Sequence, residues 1–150
     1  MSLENTINQD IKSAMLAKDE PRLRSLRAIK SALLLAKTEK GASEILNEDA
    51  EIRVLQKLVK QRKESAEIYQ QQNRPDLYQI EKEEQDVIET YLPKQLDREE
   101  ISERIRAIIT QLGASGMKDM GKVMGQANKE LAGTADGRTV SEIVKELLNA

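Results

Sequence analysis

The chain of 150 residues carries a net charge of -2, and 39% of its residues are hydrophobic while 33% are charged. It contains three Tyr but no Phe, Trp, Cys or His, which excludes disulfides, thiolate nucleophiles, zinc–thiolate sites and histidine-based catalysis. A core must therefore form from aliphatic side chains on charge-rich helices, so the composition predicts an all-α protein.

The amino-terminal residues are polar and lack the apolar segment of a signal peptide. No apolar run approaches the roughly 18 residues that are needed to cross a bilayer. We therefore expect a soluble, cytoplasmic protein without a membrane partner. Because the net charge is small, any contact with nucleic acid must come from a local basic patch.

A four-residue spacing of apolar side chains predicts a first helix that ends near residues 18–20. Pro21 suits the first turn of a second helix, where its missing N–H loses no intrahelical bond, and Gly41 is the predicted end of that helix. The residues expected to face inward are Leu3, Ile7, Ile11 and Met15 in the first helix and Leu23, Leu26, Leu33 and Leu34 in the second.

Asn47 is the predicted N-cap of a long third helix, and residues 73–75 form the turn into a fourth helix that ends at Leu92 and Pro93. Arg62 interrupts the apolar stripe of the third helix, and we expect its guanidinium to reach solvent or to pair with a carboxylate. The expected inward-facing residues are Ile52, Leu55, Val59, Ala66 and Tyr69, followed by Leu77, Ile80, Val87, Ile88 and Tyr91.

Helices become shorter and glycines more frequent after Pro93, which predicts a domain boundary near residues 94–97. The expected architecture is a four-helix amino-terminal part, residues 1–94, followed by a small three-helix carboxy-terminal bundle, residues 95–150. Asp97 and Glu100 have the spacing of a capping box for the first helix of the bundle.

Three further signals divide the bundle into its helices. Gly113 is the predicted end of the first helix, and a second helix is expected from about Lys118 to Leu131. Thr139 and Glu142 have the spacing of a capping box for the last helix.

The segment Gly116-Met-Lys-Asp-Met-Gly-Lys122 matches the glycine and lysine spacing of a phosphate-binding P-loop. Val123 then occupies the position of the magnesium-binding Ser or Thr. A P-loop also follows a β-strand, whereas residues 101–112 carry a helix pattern. We therefore reject nucleotide hydrolysis at this segment.

The segment instead begins a helix with two different faces. Met120, Val123, Met124, Ala127 and Leu131 share one side, which predicts a core face. Three lysines and two glycines lie on or beside the opposite side, where a phosphate chain could approach the bare backbone and an acidic protein would fit nearly as well. The alternative is that the glycines loosen the helix and the lysines are only solvated. With Arg138, the candidate nucleic-acid-binding residues are Lys118, Gly121, Lys122, Gly125 and Lys129.

Other charged segments carry weaker signals. In the basic run of residues 60–63 and the cations before it, Arg53, Lys57 and Lys60 share a helix face with Glu64 and Glu67, which predicts a solvated surface. Neighbouring glutamates at 83–84 and 99–100 point in divergent directions and are also assigned to the surface. We predict no catalytic residue, no metal ligand and no cofactor.

Five segments together resemble the YqeY-like proteins of the GatB/YqeY family over essentially the whole chain. The resemblance implies that the carboxy-terminal part is similar to the helical tail of the B subunit of the tRNA-dependent amidotransferase, which helps to hold tRNA. The family label is carbon–nitrogen ligase activity with glutamine as amido-N-donor. The segments are Lys60-Gln-Arg-Lys-Glu-Ser65, Asn73-Arg-Pro-Asp-Leu77, Tyr91-Leu-Pro-Lys-Gln-Leu96, Gly121-Lys-Val-Met-Gly125 and Gly133-Thr-Ala-Asp-Gly137.

The residues and the resemblance together predict a non-catalytic, tRNA-binding or accessory protein related to glutamine-dependent tRNA amidation. Its expected partners are tRNA or amidotransferase-related proteins. An alternative function is a protein–protein adaptor that holds a partner helix in an apolar groove between the two helical parts. An independent amidotransferase is disfavoured, because the sequence shows no catalytic part.

Overall fold

The computed structural model describes residues 2–39 and 46–150, and within them the chain is helical without a β-strand. The all-α class predicted from the composition is therefore confirmed. Gly41, the predicted end of the second helix, lies outside the described residues. The α-helices are α1 Leu3–Ala17, α2 Glu20–Glu39, α3 Glu48–Gln71, α4 Pro75–Glu89, α5 Arg98–Leu112, α6 Met120–Glu130 and α7 Gly137–Leu148, and a 3-10 turn, Met117–Asp119, precedes α6.

The chain divides into two compact units, an amino-terminal unit, Met1–Leu92, and a carboxy-terminal unit, Pro93–Ala150. Helices α1 to α4 belong to the first unit, and α5 to α7 belong to the second. Each unit has its own aliphatic core. No helix in the described part of the chain has the length and apolar composition needed to cross a membrane.

The helix ends follow the local sequence. Ser2 and Asn47 cap α1 and α3 by accepting backbone N–H groups at Asn5 and Ala50. Lys18 closes α1 in the left-handed conformation, with φ of 54°. The predicted N-cap at Asn47 is confirmed.

The core of the amino-terminal unit is formed by aliphatic residues of all four helices. Three residues that were predicted to face inward, Met15, Leu34 and Ile80, are instead exposed by 54%, 44% and 39%. Ala14, which precedes Met15, and Ile29, which lies between Leu26 and Leu33, are fully buried instead. For Met15 the cause is geometric, because four-residue steps drift around a helix of 3.6 residues per turn and the end of the stripe leaves the interface. Leu34 directly follows the buried Leu33 and is therefore turned about 100° away from it. The buried members of this core are Ile7, Ala14, Leu23, Leu26, Ile29, Leu33, Leu55, Leu58, Val59 and Ile88.

A cluster of charged side chains, here called the arginine cluster, lies among α2, α3 and α4. Arg62 Nε lies 3.4 Å from a Glu84 carboxylate oxygen and 3.9 Å from Glu81, which confirms that Arg62 pairs with carboxylates. Arg24 lies 3.4 Å from the other Glu84 oxygen and 3.1 Å from Glu83. Glu84 is only 8% exposed, so its assignment to the surface was wrong. Two guanidinium groups make its burial possible, because they compensate the charge that burial removes from water.

Two details show that the arginine cluster is held in a partly dehydrated environment. Arg62 Nε is buried without a hydrogen bond, although a Glu84 oxygen is near it. Burial also raises the pKa of Glu81, and the neighbouring Glu84 charge acts in the same direction while Arg62 opposes it. The protonation of the cluster's carboxylates therefore depends on the balance between its glutamates and arginines.

Tyr91 joins the end of the amino-terminal unit to α1. Its hydroxyl donates a hydrogen bond to the Asp10 carboxylate, and Arg22 lies 3.9 Å from the same carboxylate. Burial raises the pKa of Tyr91 to about 12, and the hydrogen bond to Asp10 acts in the same direction. The neutral phenol is therefore the form that the folded unit favours.

Replacing Glu84 with Gln should lower the free energy of unfolding of the amino-terminal unit by about 2 kcal/mol, because the largely buried Arg62 guanidinium loses its nearest counter-charge. The exposed Arg24 should contribute little to this loss, since water screens it. All three tyrosines, at positions 69, 78 and 91, lie in this unit, so urea unfolding followed by tyrosine fluorescence measures it selectively. The matched control is Glu83→Gln, whose carboxylate is more exposed and should cost less than about 1 kcal/mol. Equal losses in both variants would contradict a special role for Glu84.

The unit should also lose stability as the pH rises from about 10 to about 12. The folded-state pKa of Tyr91 is raised above the ordinary value of 10.0 to about 12, so in this interval the unfolded chain releases a proton that the folded chain retains. The stabilisation is complete below this interval and disappears through it. Urea midpoints at pH 9 and pH 11, measured by circular dichroism, should fall further for wild type than for Tyr91→Phe. Parallel losses in the two proteins would refute this assignment.

Candidate functional site

The candidate site lies in the carboxy-terminal unit, where α5 leads into the glycine- and lysine-containing segment. The capping box of α5 is confirmed, since the Asp97 side chain accepts the Glu100 N–H while the Glu100 side chain accepts the Asp97 N–H. Gly113 ends the helix with φ of 61°, as predicted. A helix therefore precedes Gly116 where a P-loop has a β-strand, so the fold agrees with the rejection of nucleotide hydrolysis at this segment.

The connection from α5 to α6 is a short, locally bonded segment. Gly116 has φ of 71° and begins the 3-10 turn, and the Asp119 carboxylate accepts the Ser115 N–H at 2.8 Å. The second helix of this unit was expected to start near Lys118, but α6 starts at Met120. Lys118 therefore lies on the 3-10 turn, which corrects the prediction that all three lysines share one α-helix.

One side of α6 packs into the core of the carboxy-terminal unit, as predicted. Val123 and Ala127 are fully buried and Leu131 is 2% exposed. Met120 and Met124 are partly buried and pack against the same core. The orientation of α6 is thus set by apolar contacts with α5 and α7.

The two glycines of α6 lie on its solvent side. A Cβ atom built on Gly121 or Gly125 would meet no other atom within 4 Å. Close packing inside the protein therefore does not require glycine at either position. Gly125 is in the interior of the helix, where glycine is less favourable than Ala by about 1 kcal/mol.

Lys122 and Lys129 are exposed on the solvent side of α6, and Lys118 is exposed on the 3-10 turn that precedes it. Within the described residues, none of the three pairs with a carboxylate. We call these three side chains together with Gly121 and Gly125 the lysine face. Lys122 and Lys129 are seven residues apart, which corresponds to about 10 Å along the axis of an α-helix. The lysine face is therefore a cationic strip beside an uncovered stretch of backbone.

Arg138 differs from the three lysines. It lies in the first turn of α7, and its Nε is 3.5 Å from a Glu142 carboxylate oxygen. Arg98 is 3.6 Å from the other Glu142 oxygen and 2.7 Å from Glu146. No hydrogen bond or ion pair found among the described residues joins Arg138 to the lysine face, so the structure does not bring it together with the other predicted site residues.

The predicted capping box of α7 is wrong. The helix begins at Gly137, two residues before Thr139, with Asp136 in the N-cap position. Glu142 is instead engaged by two arginines, and the Thr139 hydroxyl donates to the Asp136 carboxylate at 3.3 Å. The spacing of Ser/Thr and Glu that defines a capping box also arises where the glutamate serves an ion pair.

Most carboxylates of the carboxy-terminal unit have a partner within the protein other than a lysine of the lysine face. Asp119 accepts a backbone N–H, and the Glu130 carboxylate accepts the Gln126 side-chain amide at 2.9 Å. Glu142 and Glu146 pair with arginines at the α5 and α7 surfaces. The unit has nine basic and nine acidic residues, and among the described residues Arg104, Arg106 and Lys145 also pair with no carboxylate. What distinguishes the lysine face is therefore the bare backbone at Gly121 and Gly125 beside its cations.

The second basic segment that the sequence singled out, residues 60–63, does not form a free surface. Arg62 belongs to the arginine cluster, and Lys60 also has an interaction partner. No group of three or more Asp or Glu residues in the described ranges could hold a metal ion. The lysine face is thus the best-defined candidate site.

A cavity of about 340 Å³ lies between the first turn of α1, the end of α2 and the start of α3. Its charged groups are already engaged, because Lys37 pairs with Glu4 at 3.1 Å and the Glu51 carboxylate accepts the Leu3 N–H. Burial raises the pKa of Glu51. Sequence patterns do not predict this cavity, because its lining comes from three separate segments. The lining residues are Ser2, Glu4, Asn5, Leu33, Lys37, Leu46 and Glu51.

Comparison with known proteins gives one family and several relatives. The family model described as "Yqey-like protein" matches residues 4–148. A protein of Clavispora lusitaniae named "Altered inheritance of mitochondria protein 41, mitochondrial" is 34% identical over 135 residues, which cover 87% of this chain and 77% of the relative. Proteins with the same name from Pyrenophora tritici-repentis and Meyerozyma guilliermondii are 30% and 31% identical, and the matches cover 96% of this chain and 80% and 75% of those relatives.

These relatives correct two predictions. The predicted function was tRNA binding or assistance of tRNA amidation, with the groove adaptor as alternative. This prediction is wrong, because the relatives are named for altered inheritance of mitochondria and not for tRNA, an amidotransferase or a ligase. The predicted cytoplasmic location is also wrong, because the same proteins are named as mitochondrial. The predicted YqeY-like resemblance is confirmed.

Replacing Gly125 with Ala should raise the stability of the carboxy-terminal unit by about 1 kcal/mol, because alanine favours the helix and its Cβ meets open space. Gly113→Ala is the matched control and should lower stability by about 1 kcal/mol, because its φ is positive although the space is equally open. Hydrogen exchange of the Ile105 and Val123 amides measures this unit directly. A loss of protection in Gly125→Ala would show that the helix needs glycine there.

Proposed function

The chain belongs to the family of Yqey-like proteins, and we propose that it is a non-catalytic binding protein whose lysine face docks an acidic partner protein. The observation that supports this function is the set of three exposed lysines without a carboxylate partner in the described structure. The cations at the α5–α7 surface, Arg98 and Arg138, are in contrast neutralised within the protein. The assignment of the lysine face to nucleic acid stays a prediction, as does the likeness of residues 95–150 to an amidotransferase tail.

Two features favour an acidic protein over a nucleic acid. Residues 93–150 contain no aromatic side chain on which a base could stack, and stacking is a main source of affinity for single strands. The unit has equal numbers of basic and acidic residues, so it lacks the excess positive charge typical of nucleic-acid-binding domains. Three lysines are sufficient to orient an acidic protein surface, since charge complementarity sets the rate and specificity of docking.

The uncovered backbone at Gly121 and Gly125 supports the same function. Both positions face solvent, so a partner can approach the helix axis more closely there than at positions with side chains. The lysines beside this stretch then reach around the partner. Such a surface offers a partner both charge and backbone contact area. A row of lysines on a helix without these glycines would offer charge alone.

Reversing two charges, in the variant Lys122→Glu with Lys129→Glu, should weaken binding of fluorescent poly-L-glutamate at low ionic strength by about tenfold or more, because attraction becomes repulsion. Fluorescence anisotropy measures the affinity, which for wild type should fall as sodium chloride is added. The control is Arg104→Glu with Arg106→Glu, which makes the same charge change at exposed residues of α5.

Comparable binding by wild type and the lysine variant would refute the lysine face. A single-stranded polynucleotide is measured in parallel with the same proteins. If it binds more tightly than poly-L-glutamate and the lysine variant loses it, the partner is a nucleic acid and the proposed acidic protein is wrong.

A further inference from the structure

Two exposed apolar side chains lie shortly before the lysine face along the chain. Leu112, the last residue of α5, is 43% exposed, and Met117, the first residue of the 3-10 turn, is 42% exposed. Neither belongs to the core of the carboxy-terminal unit. Met117 directly precedes Lys118, so exposed apolar surface and unpaired positive charge are neighbours in the 3-10 turn before α6.

Resting on the proposed function, we infer that the docking segment of the partner is an acidic amphipathic helix with an apolar side chain that packs on Leu112 and Met117. Its carboxylates face Lys122 and Lys129, whose spacing of about 10 Å corresponds to two turns of a helix. Charge alone orients the partner, and the apolar contact adds affinity that salt does not screen.

The shape of the surface fits a helix better than an extended peptide. Gly121 and Gly125 are one turn apart and have no side chains, so this stretch of α6 lies lower than the lysine side chains beside it. We call this stretch the trough. A partner helix that lies along this trough can bring its own backbone close to α6, as small residues permit in helix pairs. Carboxylates at positions i and i+7 of that helix lie on one face and can meet the two lysines together.

The combination of surfaces also distinguishes this occupant from a simple polyanion. Poly-L-glutamate or a phosphate chain would contact the lysines and leave Leu112 and Met117 in water. A helix with an apolar residue beyond its acidic pair covers both surfaces at once. Recognition of this kind is the helix-in-groove mode, in which apolar anchors and flanking charges lie on one helical face.

The test uses two helical peptides of equal charge, each with glutamates at i and i+7. One carries a leucine one turn beyond the acidic pair, and the other has serine in its place. Wild-type protein should bind the leucine peptide roughly tenfold more tightly than the serine peptide, because only leucine buries apolar surface. In the variant Leu112→Ser with Met117→Ser, this preference should disappear, while thermal melting should be unchanged because both residues lie outside the core.

The steric part of the proposal is tested with Gly125→Leu, which adds a bulky side chain on the solvent side of α6. It should weaken binding of both helical peptides by about tenfold, and it should weaken binding of random-coil poly-L-glutamate much less, because a flexible chain can reach the lysines without lying against the backbone of α6. Binding of the peptides that is insensitive to Gly125→Leu would contradict a helix in the trough.

The outcomes separate this inference from the function on which it rests. If Lys122→Glu with Lys129→Glu abolishes binding but the leucine and serine peptides bind equally well, the lysine face stands and the apolar anchor is wrong. If the lysine variant binds every probe like wild type, the proposed function itself is wrong. A leucine preference that survives in Leu112→Ser with Met117→Ser would place the anchor elsewhere and overturn the inference.

Discussion

The burial of one side of α6 determines what the carboxy-terminal unit presents to its surroundings. Val123, Ala127 and Leu131 pack between α5 and α7, and helix geometry directs the opposite residues to solvent. Turning α6 by one residue, about 100°, would expose Val123 and move polar side chains toward the core. The aliphatic core therefore holds the lysines outward, although none of them contributes to that core. The unit's surface chemistry is a consequence of its packing.

The two units use their charges in different ways. In the amino-terminal unit, Arg62 and Glu84 are largely withdrawn from water and hold α3 and α4 together, with Arg24 as a third member. Partly buried pairs of this kind specify which helices lie together more than they add to stability. In the carboxy-terminal unit, Lys122 and Lys129 have no such function inside the described structure. Charge that internal pairing leaves unused is available for recognition.

Periodicity in the sequence predicted the helices, most of the core and the outward direction of Gly121 and Gly125. It failed where a residue's role depends on a distant segment. In the sequence, Glu84 resembles the other surface glutamates. Its charge can be buried because Arg24 and Arg62, which belong to two other helices, pair with it. Local signals also misplaced Lys118, because the 3-10 turn that starts before α6 is set by a bond between Ser115 and Asp119.

The hydrogen bond between Tyr91 and Asp10 has a consequence for how the protein is made. It joins residues that are 81 positions apart, almost the full length of the amino-terminal unit. During synthesis, α1 leaves the ribosome first but cannot make this contact until residue 91 has also emerged. The amino-terminal unit therefore closes late on the nascent chain, when the ribosome is already translating the codons for α5 and the segment beyond it. Helix α1 packs on α2, which follows it directly, so its apolar face can be covered early, whereas the Asp10 carboxylate waits for Tyr91.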